Sequence, residues 1–306
     1  MGSIDVSRTT SRVVMVEPVR FHTNEETLPD NLFMAEHGAV SKEEIEERAL
    51  GEFRQCVTLL RDHGVNVTVF TPHAECESPD VVFCPHWFTT HLQLGGMFVL
   101  YSLRSPKRRT ERSPQIIEFL RRRYPTEVNF TRYEDRGEFL EGNGSLVFDR
   151  LQRVAYMASS TRSSERLAER WASLLGYRLL VFNAADRDGR PIFHTNLMMS
   201  ICDDFILWCP EVIGEDSLSL VQEAMDESRR ELIPFTRQQM MDYVGDLIHL
   251  GNKNSEINFL STRAFNSLTD EQRVKIESFG PIVHTPLDTI EKYGGASAGS
   301  IISELA

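Results

Sequence analysis

The chain has 306 residues, of which 41% are hydrophobic and 25% charged, a composition typical of a soluble globular protein with a sizeable core. Its 33 basic and 45 acidic residues give a net charge of −12, which argues against nucleic acid or an anionic membrane as a partner. Five cysteines without disulfide-framework spacing, no apolar run long enough to cross a membrane, and a polar first dozen residues together predict a cytoplasmic protein.

In chain order, the predicted elements begin with a loose arm over residues 1–11 and a buried strand over 12–19. Ser41 and Glu44 form a capping-box pattern for a first helix, which has apolar residues at 45, 49, 53, 57 and 60 along one face and ends at His63-Gly64. Later helix starts are predicted at Ser113-Pro114, Ser163 or Ser164, Ser217, and Thr269 with Gln272. Apolar runs predict further strands at residues 65–70, 97–103, 128–130, 145–150, 154–158, 177–182, 197–201, 205–209, 232–235, 257–261 and 281–284.

A unit of helix, short strand and polar loop recurs five times, at intervals of about 50 to 60 residues. Each loop carries a polar residue, and in order these are Asp80, Glu141, His194, Asn252 and Ser300. If the unit closes into a ring, the five loops meet at one axis, and an acid, a histidine and a hydroxyl group there would form an active site. The sequence therefore predicts a single α/β domain over residues 1–306, built as a five-bladed propeller of ββαβ repeats. Paired strands within each repeat, and the absence of a GxGxxG sequence after a strand, disfavour the parallel doubly wound alternative.

Each candidate residue also has a purely structural interpretation. Glu141 would then be an exposed acid in a tight turn, His194 a hydrogen-bonded core histidine, and residues 294–300 a flexible tail. The basic runs at 107–109 and 121–123 are flanked by acids, which is typical of a solvated face. A Glu and a His on neighbouring repeats nevertheless favour chemistry, because a carboxylate orients an imidazole for proton transfer.

A metal site near Asp80 was also considered, because His86 and His91 are five residues apart. On a strand those two side chains would face opposite sides, so joint ligation is disfavoured. No metal and no cofactor are therefore expected.

Four segments, taken in order, carry a family resemblance: FHTNEET at 21–27, PDVVF at 79–83, FLEGNGS at 139–145 and FHTNLMM at 193–199. They resemble the penteins, the guanidino-group-modifying enzymes that include arginine deiminase, dimethylarginine hydrolase and glycine amidinotransferase. The similarity is greatest to the amidinotransferase-like, citrulline-utilisation hydrolase branch, and it covers nearly the whole chain. It implies the pentein fold and a cysteine that attacks the guanidinium carbon. It also implies a histidine acid/base that is held by a carboxylate.

The resemblance also implies roles for individual residues. His194 would be the acid/base, Glu141 its partner, and Ser300 would occupy the nucleophile position, where the family has cysteine. The substrate-binding positions would be Asp80, His86, Asn143, Asn196 and Asn252. Relatives carry acids at the positions of His86 and Asn196, so a neutral ureido or smaller guanidine-like substrate is also consistent with the sequence.

Two explanations compete for Ser300: an engineered cysteine-to-serine change, or a natural chain that lost its nucleophile and kept a binding role. A natural oxygen nucleophile is less consistent, since serine is far less ionised than cysteine at neutral pH. The sequence thus predicts an arginine-deiminase-type hydrolase of C–N bonds in guanidino or ureido compounds, inactivated at residue 300. The alternatives are a non-catalytic metabolite- or protein-binding pentein and an amidinotransferase. The expected partner is a small guanidino or ureido substrate, and a homo-oligomer is left open.

Overall fold

The computed structural model of the protein describes residues 9–36, 38–252 and 255–306, without the side chains of Asn252 and Ser255. Within these ranges, fifteen strands form five separate three-stranded sheets. The strands are β1 (Arg12–Val16), β2 (Asn66–Phe70), β3 (Phe88–His91), β4 (Met97–Leu100), β5 (Thr126–Asn129), β6 (Val147–Asp149), β7 (Val154–Ala158), β8 (Arg178–Phe182), β9 (Met199–Ile201), β10 (Phe205–Trp208), β11 (Glu231–Pro234), β12 (Ile248–Asn252), β13 (Ser255–Ser261), β14 (Ile282–Thr285) and β15 (Ser303–Glu304).

Nine α-helices lie in the same described ranges. They are α1 (Lys42–Asp62), α2 (Pro114–Arg121), α3 (Gly142–Ser145), α4 (Glu165–Leu175), α5 (Glu215–Glu227), α6 (Arg237–Met241), α7 (Thr262–Ser267), α8 (Asp270–Glu277) and α9 (Asp288–Gly294). None of the helices described has the length and apolar character that crossing a membrane requires.

Every sheet repeats one connection: two antiparallel strands, then helix, then a third strand parallel to the second. In one example β9 pairs antiparallel with β10, and α5 then leads to β11, which runs parallel to β10. The first sheet is completed by both ends of the chain, because β15 pairs antiparallel with β1 while β2 runs parallel to it. The sheets thus form from local strand pairs, and one of them joins the N-terminal and C-terminal segments.

Most helix starts follow the sequence signals. The Ser41 side chain accepts a hydrogen bond from the Glu44 backbone N–H, and both bonds of the capping box of Thr269 and Gln272 are present. The start predicted at Ser217 is wrong, because α5 begins at Glu215 with Gly214 as its N-cap residue. The predicted apolar face of α1 is confirmed: residues 45, 49, 53, 57 and 60 are all buried and pack with β1.

Among the described strands of three or more residues, β3 and β12 were not predicted. Threonines and a histidine interrupt the apolar pattern of β3, and a glycine followed by an asparagine gives the end of β12 the appearance of a turn. The predicted arm at 1–11 falls mainly on residues 1–8, which lie outside the described residues. Thr9 and Thr10 at its end are buried, and Thr9 Oγ1 donates a hydrogen bond to the His249 carbonyl.

Five short helical turns, one from each repeat, lie together inside the molecule. Each contacts the next along the chain, and the last contacts the first. They are Cys84–His86, α3, Thr195–Leu197, Val244–Asp246 and Ala298–Ile301. Glycines permit the close approach: a Cβ on Gly142 would lie 2.3 Å from the Pro85 carbonyl oxygen, and one on Gly245 would lie 2.3 Å from that of Leu197. The repeat thereby brings its loops to one place.

Candidate active site

A buried carboxylate–imidazole pair lies where the second and third turns meet. His194 Nε2 is 2.8 Å from Glu141 Oε2, and both side chains are at most 2% exposed. Ser145 fixes the turn that carries the acid, because its Oγ accepts from the Glu141 backbone N–H at 2.8 Å and donates to the Arg162 carbonyl. Gly144 leaves room for the imidazole, since a Cβ there would come within 2.6 Å of the His194 ring.

The charges around this pair determine its protonation. Burial alone would raise the pKa of Glu141, but Arg162, His194 and Arg108 hold that pKa well below its usual range. The Arg162 and Arg108 guanidinium nitrogens lie 3.6 and 3.7 Å from Glu141 Oε2. Burial lowers the pKa of His194 to about 4, so the imidazole is neutral at pH 7. Because ionised Glu141 can only accept, His194 Nε2 carries the ring proton and Nδ1 is left as the basic nitrogen.

Asp80 is a second buried acid of the site. Its Oδ2 accepts hydrogen bonds from Asn24 Nδ2 at 2.7 Å and from Thr27 Oγ1 at 3.3 Å, whereas Oδ1 is buried without a hydrogen-bond partner among the described residues. Burial raises the pKa of Asp80, although Arg108 acts in the opposite direction. Asn24 and Thr27 belong to the 21–27 segment that carried the family resemblance, so this segment positions the first acid.

Arg108 lies between Asp80 and Glu141, and sequence reasoning missed it. Its Nε is 3.8 Å from Asp80 Oδ2 and 2.8 Å from Glu111 Oε1, and its side chain is 2% exposed. The interpretation of residues 107–109 as a solvated face is therefore wrong for Arg108. Nothing in the local sequence distinguishes it from its basic neighbours; a 3-10 turn, Lys107–Glu111, directs it inward. Arg162, which also pairs with Asp30, was missed as well, because no local sequence pattern singles it out.

Three of the other proposed substrate-binding residues have buried polar atoms without hydrogen-bond partners. Within the described part of the chain, both ring nitrogens of His86, Asn143 Oδ1 and Asn196 Oδ1 are buried without hydrogen-bond partners. The His86 ring lies against that of His194, with centroids 4.6 Å apart, and burial lowers the pKa of His86 well below its usual range. Asn143 and Asn196 also line a cavity of about 120 Å³, and neither Glu141 nor His194 is among the residues that line it.

Ser300 lies on the fifth turn beside an acid from the fourth. Its Oγ accepts a hydrogen bond from Asn196 Nδ2 at 2.9 Å, and the same nitrogen is 3.1 Å from Asp246 Oδ1. Asp246 Oδ2 accepts from the Ser297 backbone N–H at 2.7 Å. Burial raises the pKa of Asp246 to about 7, against hydrogen bonds from Ser297, Ser300 and Asn196 that lower it.

The fourth repeat thus contributes Asp246, which was not predicted. Asn252, the residue predicted from this repeat, ends β12, and its side chain lies outside the described residues. A sequence signal for Asp246 was available: it is an acid that directly follows a glycine and lies just before an apolar strand, the position at which the turn of a repeat ends.

None of the five cysteines offers a thiolate in place of Ser300 at neutral pH. All are buried, and burial raises the pKa of each thiol. Cys84, on the first turn, lies 3.2 Å from Ser303 Oγ and has its pKa raised to about 12. The site can therefore hold a donor-rich ligand and move a proton through His194, but it presents a hydroxyl where a thiol would be the stronger nucleophile.

Known structures share this fold. The N-terminal domain of ArgZ, an arginine dihydrolase from the ornithine–ammonia cycle in cyanobacteria, superposes with a TM-score of 0.75 at 16% identity, over 96% of this chain and 98% of that one; it is a cysteine-to-serine mutant bound to substrate. A cysteine-to-alanine mutant of AgrE with L-arginine gives 0.75 at 18% identity, over 96% and 40%. A dimethylarginine dimethylaminohydrolase adduct with 4-chloro-2-hydroxymethylpyridine gives 0.66 at 13%, over 96% and 99%.

At the sequence level, no curated protein matches the chain. A profile of the family described as N,N dimethylarginine dimethylhydrolase, eukaryotic, does match, over residues 17–306. This confirms the predicted pentein membership, while the similarity to the amidinotransferase-like branch stays a prediction. The chain belongs to the eukaryotic N,N dimethylarginine dimethylhydrolase family, within the guanidino-group-modifying enzymes of the pentein superfamily.

Proposed function

We propose that this protein binds a small arginine-like guanidino compound at Glu141, His194 and Asp80, and that it has the site of a C–N hydrolase whose turnover is limited by Ser300. The observation that carries the proposal is the buried hydrogen bond between His194 and Glu141, next to a set of buried acceptors that lack donors. The family match and the arginine-bound relatives support the same class of ligand.

The proposal includes the closure of the five sheets into a propeller, with the five short turns at its axis. It is supported by the cyclic order in which those turns contact one another, and by the sheet that joins both ends of the chain. A ligand at the axis would then meet one turn from every repeat, as in other ring-like repeat proteins.

A guanidinium group fits the unpartnered acceptors. It carries up to five N–H donors in a plane and no acceptor. Asp80 Oδ1, Asn143 Oδ1 and Asn196 Oδ1 are buried oxygens without donors in the described structure, and each such atom costs about 1–3 kcal/mol while it is unpaired. A donor-rich cation would satisfy several of them together, and its charge would offset the buried carboxylates.

The roles of the reacting residues follow from the pentein resemblance. Residue 300 would attack the guanidinium carbon, and the amine would leave with a proton supplied through His194. Water, deprotonated by His194, would then attack the carbon, release residue 300 and leave a ureido product. The hydrogen bond from Asn196 to Ser300 Oγ would stabilise negative charge at that atom. A thiol at this position would ionise at a much lower pH than the hydroxyl does.

A non-catalytic binding protein is the second candidate, and Asp246 favours it. A thiolate at position 300 would lie beside this buried carboxylate, whereas the neutral Ser300 hydroxyl tolerates the acid and can bond to it. The same fold could then retain ligand recognition without covalent chemistry.

The test is release of ammonia or methylamines, and of ureido product, from arginine, methylated arginines, agmatine and citrulline. We compare the Ser300 chain with Ser300→Cys, Ser300→Cys/His194→Ala and Ser300→Cys/Asp246→Asn, and follow ligand binding by calorimetry. Turnover that appears with the thiol, rises with Asp246→Asn and disappears without His194 is the expected result. Binding without turnover in every variant would instead establish the binding protein, and absence of both would overturn the proposal. Repeating active assays with an amine acceptor distinguishes hydrolysis from amidino transfer.

A further inference from the structure

A second group of metal-ligating side chains lies outside the Glu141–His194 site, between two neighbouring sheets. Asp203 is in the turn between β9 and β10, His249 is on β12, and Glu256 is on β13. One ligand atom from each residue lies within 4.8 Å of the others. The strand pairing explains part of this proximity: β13 sets Asn258 opposite His249 and Glu256 opposite Gly251, so His249 and Glu256 share one face of the sheet.

The hydrogen bonds of Asn258 determine which ring nitrogen of His249 is protonated. Asn258 Nδ2 donates to the carbonyl groups of Ile276 and Gly280, at 3.2 and 2.9 Å, so Asn258 Oδ1 is the acceptor that faces His249. His249 Nδ1 lies 2.8 Å from that oxygen and must therefore be the N–H donor. In the neutral ring, Nε2 then carries only a lone pair.

His249 Nε2 is directed at the two carboxylates and has no hydrogen bond to any described residue. The His249 side chain is 6% exposed, and Nε2 is 3.7 Å from Glu256 Oε2, beyond hydrogen-bond distance. A buried lone pair that faces acids is unfavourable unless a proton or a metal cation lies between them. An imidazole fixed through its other nitrogen by an amide or carboxylate is also the usual arrangement of a metal-ligating histidine.

We propose that Asp203, His249 and Glu256 bind one divalent cation of the zinc type. One imidazole nitrogen and two carboxylate oxygens form a donor set that suits zinc, at about 2.0–2.2 Å from each ligand, with a fourth position for water. Ligands at those distances are roughly 3.3 Å apart in a tetrahedron. Small side-chain shifts from the present geometry would therefore suffice, and Glu256 is one-third exposed and free to make them.

The surroundings offer an entry path and a structural role. Asp203 and His249 both line the cavity of about 120 Å³ that Asn196 and Asp246 also line, so water and a small ion can approach from that side. The ligands come from the sheet of β9–β11 and the sheet of β12–β14, and a bound cation would join them. No sequence pattern indicates this site, because its residues are up to 53 positions apart and match no ligand spacing.

The test is calorimetric titration of the metal-stripped natural chain with zinc chloride, together with Co²⁺ absorption as a readout of ligand geometry. Glu256→Gln is the main variant, because a side chain that is one-third exposed can change without unfolding the protein, and His249→Gln is the second. His194→Ala controls for binding at the other histidine site, and Glu277→Gln controls for the loss of an exposed acid. Circular dichroism checks that each variant is folded.

The expected result is one zinc ion per chain, bound at least tenfold more weakly by Glu256→Gln and His249→Gln and equally by both controls. Zinc should also raise the Tm of the natural chain more than that of Glu256→Gln. Absence of stoichiometric binding up to millimolar zinc would overturn the proposal. So would equal binding by Glu256→Gln, or loss of binding in His194→Ala.

Discussion

Replacement of Arg108 by methionine is the sharpest test of how the site is held together. The Arg108 side chain is 2% exposed and faces three carboxylates, with Glu111 at 2.8 Å, Glu141 at 3.7 Å and Asp80 at 3.8 Å. Methionine keeps much of the volume and removes the charge. The variant therefore leaves three buried acids without their shared cation.

The expected cost follows from what each acid retains. Removing one partner of a buried ion pair costs about 3–5 kcal/mol. Glu141 keeps Arg162 and His194, and Asp80 keeps Asn24, so Glu111 loses most. The pKa of Glu111 is already raised to about 7, mainly by burial, so protonating its carboxylate near neutral pH costs little free energy. We therefore expect a loss of roughly 3 kcal/mol in the free energy of unfolding at pH 8, at the low end of that range.

The pH dependence has a definite sign. Without Arg108 the folded-state pKa of Glu111 rises further above its unfolded value, so the folded protein binds a proton that the unfolded chain releases. The penalty is then greatest at high pH and shrinks as pH falls towards 7, by about 1.4 kcal/mol for each unit of added pKa shift. A second change, Glu111→Gln, removes the charge that lost its partner and should recover part of the stability.

Urea unfolding followed by circular dichroism at pH 8 and pH 6 measures both quantities. Arg109→Met is the matched control. Arg109 is 30% exposed, and Glu134 is its one acidic partner among the described residues. Its replacement should therefore lower the free energy of unfolding by less than about 1 kcal/mol. The reasoning is refuted if Arg108→Met costs no more than Arg109→Met, or if its penalty grows as the pH is lowered.

Three further changes test the site. Gly144→Ala places a Cβ 2.6 Å from the His194 ring and should lower turnover of the Ser300→Cys protein by roughly 100-fold. The control is Gly51→Ala, whose Cβ meets open space on α1 and which should raise the free energy of unfolding by up to ~1 kcal/mol. Equal activity in the two variants would contradict this prediction. Asp246→Asn removes a carboxyl group whose pKa in the folded protein is raised to about 7. Such a group lowers the free energy of unfolding as the pH rises from 4 to 8, so this decrease should be smaller in the variant than in the Ser300 chain. An unchanged pH dependence, measured by unfolding at pH 5, 6.5 and 8, would count against this prediction. Asp80→Asn should weaken arginine binding by roughly 10- to 100-fold in calorimetry and leave any citrulline binding nearly unchanged, and an equal loss for both ligands would disprove a charge-specific role.

How much of the structure the sequence alone predicts depends on how far apart in the chain the determining residues lie. Local patterns correctly gave the cap at Thr269 and the buried face of α1, because both are decided within one or two helical turns. The periodic spacing indicated that polar loops would meet, and His194 and Glu141 do lie 2.8 Å apart. Arg108 could not be found in this way, because its role depends on acids 28 positions before it and 33 after it, at distances that only the fold sets.

The missed residues change what the site should prefer to bind. From the sequence, His86 and Asn196 at positions where relatives carry acids indicated a pocket with reduced negative charge, consistent with a neutral ureido ligand. From segments with no resemblance signal, the fold brings Glu111 to Asp80 and Glu141 around Arg108, and it brings Asp246 to Asn196, which also bonds to Ser300. Three carboxyl groups, those of Asp80, Glu111 and Glu141, then lie around the buried Arg108, and Glu141 also lies near Arg162. Glu111 and Asp246, each with a pKa near 7, can adjust their charge to the ligand, since a cation lowers the pKa of an acid beside it. We therefore expect the site to bind a guanidinium more tightly than a neutral urea, through acids whose positions only the fold determines.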